Sequence, residues 1–181
     1  MTAPPGLPYS FDGVHRLIPS RYSESGTVLE EVADDAAMLA DLVLLGGVTN
    51  ERVQGELHGL PGISIYEFVY GIPNAHIVNA AFAHTSEFGS RFNDNTRGAW
   101  YGAEEQRTSV QEVCYHRSKH LAEIVVPGLR GAKPDRDIAT YDDWLADFRS
   151  VFHFLEPPER YDDYLQPEPV PQCYALPQQL A

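Results

Sequence analysis

Cysteines, basic residues and long apolar runs are all scarce in this sequence. Its two cysteines, Cys114 and Cys173, form no CxxC pair, which argues against a disulfide framework and a zinc knuckle. The longest apolar run, residues 42–45, is far too short to span a bilayer. The first eight residues lack the charged and apolar regions of a signal peptide. We therefore expect a cytoplasmic protein without a membrane partner.

Basic residues number 13 against 26 acidic ones, so the formal net charge is −13. Such a surface repels phosphate backbones and disfavours direct binding of nucleic acid or an anionic membrane face. It favours a basic protein partner. With 43% hydrophobic and 11% aromatic residues, the chain is too apolar to be disordered, and its length fits one domain.

The sequence motifs of several enzyme classes are missing. No GxGxxG, GxxxxGKS, GxxxxGKT, GxSxG or HExxH occurs, so nothing indicates a dinucleotide fold, a P-loop, an α/β-hydrolase or a zincin. His116 and His120 have the i, i+4 spacing of a metal pair, but Arg117 and Lys119 stand beside them. We expect a solvated helix face there and no metal.

Strands and helices are both indicated without regular βαβ alternation, which predicts a single-domain α+β fold. β-branched and aromatic residues predict strands over 14–22, 63–70, 76–82 and 98–103. Helical spacing predicts a helix that is capped by Ser25 or Thr27 and ends at Gly46-Gly47. Further helices are predicted over 50–58, from Glu104 onward, and over 141–154.

Residues 89–117 hold three side chains suited to chemistry. Arg91 lies in a polar loop that follows a glycine, Tyr101 on the predicted short strand and Glu112 on the following helix. This order lets all three converge on one cleft. Periodicity alone favours ordinary roles for them: a solvated arginine, a core tyrosine and a surface glutamate.

The same stretch resembles the signature of the RES-domain toxins, in which a Gly-Gly-Arg-aromatic-Asn loop precedes a strand tyrosine and a helix glutamate. Matched by position, the signature falls on Arg91, Phe92, Asn93, Tyr101 and Glu112. The upstream string HRLIPSRY resembles the family's first strand, whose arginine falls on Arg16. Ser90 replaces the second glycine of the loop, and the family's late serine has no counterpart.

The resemblance implies an ADP-ribosyltransferase-like fold with a split, mostly antiparallel sheet and flanking helices. It implies NAD+ as the substrate, without a metal. Arg16 and Arg91 suit the pyrophosphate, because guanidinium groups bind phosphate oxygens in pairs. An aromatic ring such as Tyr101 can wall in the nicotinamide. Glu112 suits stabilisation of the positive charge that builds on the ribose as the bond to nicotinamide breaks. Phe92 and Asn93 complete the implied NAD+-binding set.

The implied reaction is cleavage of the nicotinamide–ribose bond of NAD+. ADP-ribose then passes to water, to phosphate or to a protein, and a phosphoribosyl pyrophosphate synthetase is one such acceptor in the family. The implied partner is an Xre-like DNA-binding antitoxin, and a homodimer within that complex is left open. If Arg91 and Glu112 do not meet in space, the alternative is a catalytically inactive member that acts as a protein-binding module.

The domain organisation combines the resemblance with the distribution of proline and glycine. We expect a loose leader over residues 1–12 and a RES-like catalytic domain over 13–155. A helical insertion at about 25–60 resembles a long-form branch of the family. Residues 156–181 are predicted to be a Pro-rich C-terminal arm, since six of the 14 prolines follow Phe154. Its tyrosines predict that the arm packs against the body.

Overall fold

Two long strands, β1 (Gly6–Pro19) and β2 (Tyr141–His153), pair in a two-stranded antiparallel sheet. The computed structural model that contains them describes residues 4–23, 33–124, 138–165 and 174–180. β1 ends at Pro19, which has no amide hydrogen to continue the ladder. Within the described ranges this is the sheet of the protein. The wider split sheet that the resemblance implies therefore stays an expectation.

The helices confirm the predicted α+β class. The α-helices among the described residues are α1 (Ser20–Ser23), α2 (Ala36–Thr49), α3 (Glu51–His58), α4 (Ala75–Ala83) and α5 (Gln106–Ile124). Short 3-10 helices cover Ile65–Glu67, Pro158–Tyr161 and Pro177–Leu180. In the part of the chain that the structure describes, no helix combines the length and apolar character needed to cross a bilayer.

The chain divides into two compact units, each assembled from separate stretches. Unit 1 consists of Met1–Leu7, Gly26–Trp100 and Phe152–Ala181, and unit 2 of Pro8–Ser25 and Tyr101–Val151. Helices α2 to α4 belong to unit 1, while α5 and most of both strands belong to unit 2. Unit 1 has a core of buried apolar side chains, which are Ile63, Phe68 and Ala83 with the partly buried Leu60 and Phe82 against them.

Helix α2 continues through the two glycines that were predicted to end it. Its N-cap is Asp35, whose carboxylate accepts a hydrogen bond from the Met38 amide at 2.8 Å. The predicted caps, Ser25 and Thr27, lie outside the described residues. Gly47 has a packing role, because a Cβ there would lie 3.3 Å from a methyl carbon of Val53 on α3. This close approach of the next helix outweighs the low helix propensity of glycine.

Two segments that were predicted as strands are helical or irregular. Residues 76–82 lie in α4, whose sequence AHIVNAAFA contains four alanines, the best helix former. Residues 63–70 contain a 3-10 turn with a capping box between Ser64 and Glu67. The S-x-x-E pattern of that box was readable in the sequence. The apolar content of both segments was misleading, because short apolar runs do not separate strand from buried helix.

The predicted helix over 141–154 is wrong, since these residues form β2. Trp144, Ala146 and Phe148 are partly buried while Leu145 is 62% exposed, so the alternation is that of a strand. Aromatic residues fit either element here, and pairing with β1 decides the outcome. The predicted strand over 98–103 is reduced to one isolated bridge, between Ala103 and His15. The helix predicted from Glu104 is confirmed as α5.

A buried polar network joins α3 and α4 in unit 1. Asn79 is 2% exposed, and its side-chain oxygen accepts from the Val69 amide at 2.9 Å. Its amide nitrogen donates to the Val69 carbonyl at 2.9 Å and to Glu56 Oε1 at 2.8 Å. Arg52 donates to both oxygens of the Glu56 carboxylate, each at 2.8 Å. The network therefore satisfies main-chain and side-chain groups that burial would otherwise leave unpaired.

Both ends of the chain contain ordered elements in their described parts. Residues 6–12 belong to β1, and Pro4 is fully buried, with its carbonyl 2.8 Å from His153 Nδ1. In the arm, Tyr161 and Tyr164 are buried and stack edge to face. The predicted domain limits stay a prediction.

Candidate functional site

His15 of β1 bonds to two other segments of unit 2 through its main chain. Its amide donates to the Ala103 carbonyl at 2.7 Å, and its carbonyl accepts from the Ala103 amide at 3.0 Å. The same carbonyl accepts a hydrogen bond from Ser109 Oγ at 2.8 Å, and Ser109 is 4% exposed. Strand β1, the segment before α5 and the first turn of α5 thus meet at this residue.

Three predicted site residues stand next to this meeting point. Arg16 directly follows His15, Tyr101 lies two positions before Ala103, and Glu112 lies three positions after Ser109. On a helix, residues three apart are surface neighbours with Cβ atoms about 5 to 6 Å apart. Glu112 therefore lies within one turn of the place where Ser109 contacts β1.

Side chains of β2 hold His15 from another side. His15 Nδ1 is 2.8 Å from Asp143 Oδ2, and Gln106 Nε2 donates to the same oxygen at 2.8 Å. Further along, Asp147 accepts from the Gly13 amide at 2.8 Å. Asp143 and Asp147 of β2 thus bind β1. Because each of them accepts hydrogen bonds from β1, they fix the strand that carries Arg16.

Arg16 and Tyr101 interact electrostatically. Burial lowers the pKa of the Arg16 guanidinium below its usual value, and the interaction with Tyr101 opposes that shift. Arginine keeps its charge even so. A cation that has lost part of its water gains more from an anionic ligand than a solvated one does. Arg16 is thus suited to a phosphate or carboxylate.

Glu112 lies on an open face of α5. Its side chain is 50% exposed, and its carboxylate is 4.0 Å from His116 Nε2, one turn along the helix. At this distance the contact is weak, and it is an ion pair only when His116 is protonated. The spacing along α5 predicts an inward stripe of Val110, Val113, Cys114, Arg117, Leu121 and Ile124. Of these, Val113, Arg117 and Leu121 are less exposed than their neighbours, and so is Ser109, which was predicted on a different face. Val110 and Cys114, which were expected in the apolar stripe, are exposed.

The predicted binding loop forms a tight turn in unit 1, here called the Arg91 turn (residues 90–93). Ser90 and Asn93 pair as an antiparallel bridge, with Ser90 N to Asn93 O at 2.8 Å and Asn93 N to Ser90 O at 3.4 Å. Arg91 and Phe92 are the two residues between them, and Asn93 is 5% exposed. The turn therefore presents Arg91 and Phe92 at its tip.

Gly89 fixes the entry to the Arg91 turn. Its φ is +67°, and a Cβ at this position would lie 2.2 Å from the Asn93 carbonyl oxygen. Glycine is needed on both counts, since other residues disfavour positive φ and no side chain fits. After the turn, Asp94 accepts hydrogen bonds from the Thr96 hydroxyl and from the Thr96 main-chain amide. Both lower the pKa of the Asp94 carboxyl, the hydroxyl more than the amide.

Sequence reasoning missed one residue that contacts this turn. Gln178 Nε2 donates to the carbonyl oxygens of Ser90 at 2.9 Å and Asn93 at 3.0 Å, and lies 3.4 Å from that of Phe88. These partners are 85 to 90 positions away along the chain. A tail glutamine without a motif carries no signal of such a contact, so only the fold reveals it.

The structure places the predicted residues in two groups. Arg16, Tyr101 and Glu112 belong to unit 2, and Arg91 with Phe92 and Asn93 to unit 1. The open depression between Tyr9 of β1 and Val151 of β2 is lined by none of them. Among the described residues, no group of three His, Cys, Asp or Glu side chains could hold a metal ion.

These features define an α+β protein with an arginine presented on a glycine-dependent turn and an exposed carboxylate on a helix. The model of the RES domain matches residues 68–181, well over half of the chain. The chain belongs to the RES domain family, as the signature in residues 89–117 predicted. The match includes Arg91, Tyr101 and Glu112 but not Arg16. The RES domain is associated with NAD-utilising enzymatic function. Neither the curated proteins nor the solved structures contain a match to this chain.

Proposed function

We propose that this protein is the toxin of a toxin–antitoxin pair and that it cleaves the nicotinamide–ribose bond of NAD+. The observation that carries the proposal is the family match over Arg91, Tyr101 and Glu112. Support also comes from the grouping of Arg16, Tyr101 and Glu112 around one meeting point in unit 2.

The chemistry of NAD+ suits these side chains. Its pyrophosphate carries negative charge that the guanidiniums of Arg16 and Arg91 can bind. Phe92 and Asn93 stand beside Arg91 and complete the proposed binding set. The Tyr101 ring provides a wall for nicotinamide, an aromatic and electron-poor ring.

Bond cleavage leaves positive charge on the ribose, while the bonding electron pair leaves with neutral nicotinamide. The Glu112 carboxylate stabilises that sugar cation and accepts a hydrogen bond from a ribose hydroxyl. Water, phosphate or a protein side chain then bonds to the anomeric carbon and releases a proton. No metal takes part in this scheme.

The function is tested by mixing purified protein with NAD+ and measuring free nicotinamide. Release without any other protein supports depletion of NAD+ by hydrolysis, and release that requires phosphate supports phosphorolysis. Transfer of labelled ADP-ribose onto a protein in a cell extract supports an acceptor such as phosphoribosyl pyrophosphate synthetase. Absence of both nicotinamide release and NAD+ binding would support the alternative, a catalytically inactive protein-binding module.

An Xre-like DNA-binding antitoxin is the proposed partner. The net charge of −13 favours a basic surface and speeds its encounter with the toxin. Apolar side chains at the surface of α2 add a means of holding it, because Leu44, Leu45 and Val48 are each more than 60% exposed. We expect the antitoxin to place a chain segment at the mouth of the NAD+ site, so the complex should bind NAD+ more weakly than the free toxin. Equal affinity, measured by calorimetry, would exclude this mode of inhibition.

The Arg91→Ala variant is expected to raise the KM for NAD+ as well as to slow turnover. The reason is that Arg91 contacts the pyrophosphate both before and during bond cleavage. Loss of a charged hydrogen bond corresponds to roughly a ten- to hundredfold decrease in kcat/KM. Steady-state kinetics provide the measurement. Arg107→Ala is the matched control, since Arg107 is an exposed arginine of α5 outside the proposed site, and its kcat/KM should match the wild type.

A further inference from the structure

The C-terminal segment 174–180 contributes a hydrogen-bond donor to the Arg91 turn. Ser90 and Asn93 close this turn through their own main chain, and Gln178 binds the carbonyl oxygens of both. One side-chain amide thus joins the two residues that bracket Arg91 and Phe92. The turn is therefore held by two sets of hydrogen bonds, one within its own main chain and one from the Gln178 side chain.

The orientation of the Gln178 amide follows from its surroundings. The three groups around Nε2 are carbonyl oxygens of Phe88, Ser90 and Asn93, which can only accept hydrogen bonds. Only the nitrogen end of the side chain can serve them. A glutamate in this place would turn an oxygen toward the same oxygens, although it has almost the same shape.

The segment that carries Gln178 is itself anchored. Pro177 is less than 2% exposed, and the main-chain amide of Gln178 donates to the Tyr174 carbonyl at 2.9 Å. Burial of Pro177 and this main-chain bond hold the start of the glutamine side chain. The entropic cost of fixing that side chain is correspondingly reduced. Gln179, the next residue, is exposed.

We infer that Gln178 is a positioning residue: it fixes the Arg91 turn, so that the guanidinium of Arg91 is held ready for an anionic ligand. The inference rests on the proposed function where it specifies the pyrophosphate of NAD+ as that ligand. It assigns to the C-terminal arm a part in substrate binding without direct contact with substrate. Preorganisation of this kind improves binding because less order has to be imposed when the ligand arrives.

The first test is hydrogen exchange of the full-length protein without any ligand. In Gln178→Ala, the amides of residues 89–93 should exchange roughly five- to thirtyfold faster than in the wild type, as expected for loss of one or two hydrogen bonds. Gln178→Glu should have at least the same effect, while the matched control Gln179→Ala should have none. Unchanged exchange in both Gln178 variants would overturn the inference.

The second test is a double-mutant cycle in NAD+ kinetics. Gln178→Ala should raise the KM for NAD+ about fivefold or more in the wild-type background. In the Arg91→Ala background it should change kcat/KM by less than about twofold, because the residue acts through Arg91. Equal losses in the two backgrounds would indicate a general structural role and overturn the inference. Wild-type protein that neither binds nor cleaves NAD+ would overturn the proposed function, and hydrogen exchange would still decide whether Gln178 holds the turn.

Discussion

The Glu112→Gln variant is expected to cleave NAD+ about 100- to 1000-fold more slowly than the wild type, with little change in NAD+ affinity. The substitution keeps the size of the side chain and one acceptor oxygen but removes the charge. Electrostatic stabilisation of a charged transition state is worth about 3 to 4 kcal/mol in comparable sites. Single-turnover release of nicotinamide gives the rate, and calorimetry gives the affinity.

The position of Glu112 makes this variant a clean test. Its side chain is half exposed and its contact with His116 is long, so the variant should melt within about 2 °C of the wild type. Glu105→Gln removes an equal charge from an exposed position just before α5 and should retain the wild-type rate. A Glu112→Gln variant altered only in KM would assign a binding role to Glu112. A collapse of its Tm would identify a structural carboxylate.

The Asn79→Ala variant is expected to lose about 2 to 4 kcal/mol of folding free energy, because it leaves buried polar groups without a hydrogen-bond partner. The main-chain amide and carbonyl of Val69 would both lose their partner, and Glu56 would lose one donor. For a chain of this size the loss corresponds to a decrease in Tm of about 10 °C. Calorimetry or denaturant unfolding provides the measurement.

The control for this prediction is Asn95→Ala, which removes an exposed amide and should change stability by less than about 0.5 kcal/mol. Asn79→Asp distinguishes the hydrogen bond that the Asn79 side chain accepts from the two that it donates. It keeps the oxygen that binds the Val69 amide but turns an acceptor toward Glu56 and the Val69 carbonyl. It should therefore destabilise as well. If Asn79→Ala melts within about 2 °C of the wild type, the network does not stabilise the fold as described.

Sequence patterns predicted the elements whose signals are local. Helix α5 and the shorter α3 have clear helical spacing, and Asn50 caps α3 by accepting from the amides of Arg52 and Val53. The family signature identified the chain from the order of a few residues. The strand predicted over 14–22 is present as β1, but it begins earlier, at Gly6, and ends at Pro19, and residues 20–22 lie in helix α1.

The errors arose where distant parts of the chain decide the structure. The helical spacing of apolar residues in β2 is overridden by pairing with a strand more than 100 positions away, to which Asp143 and Asp147 add hydrogen bonds. Helix α2 continues through Gly47, where a Cβ would lie only 3.3 Å from Val53 of α3. Gln178 contacts the Arg91 turn across 85 to 88 positions of sequence, because both lie in unit 1. Periodicity over a short window contains no information on such contacts.

The geometry at Gly89 explains why this chain tolerates its departure from the Gly-Gly pair of the family loop. At Gly89, the first glycine of the pair, φ is positive and any Cβ would collide with the Asn93 carbonyl oxygen. The backbone at Ser90 does not have a positive φ. The conformational requirement therefore applies to one position of the pair, and the other accepts an ordinary residue. A search pattern for further members should demand glycine at the first position and leave the second open. Members with serine there, as in this chain, would otherwise escape recognition.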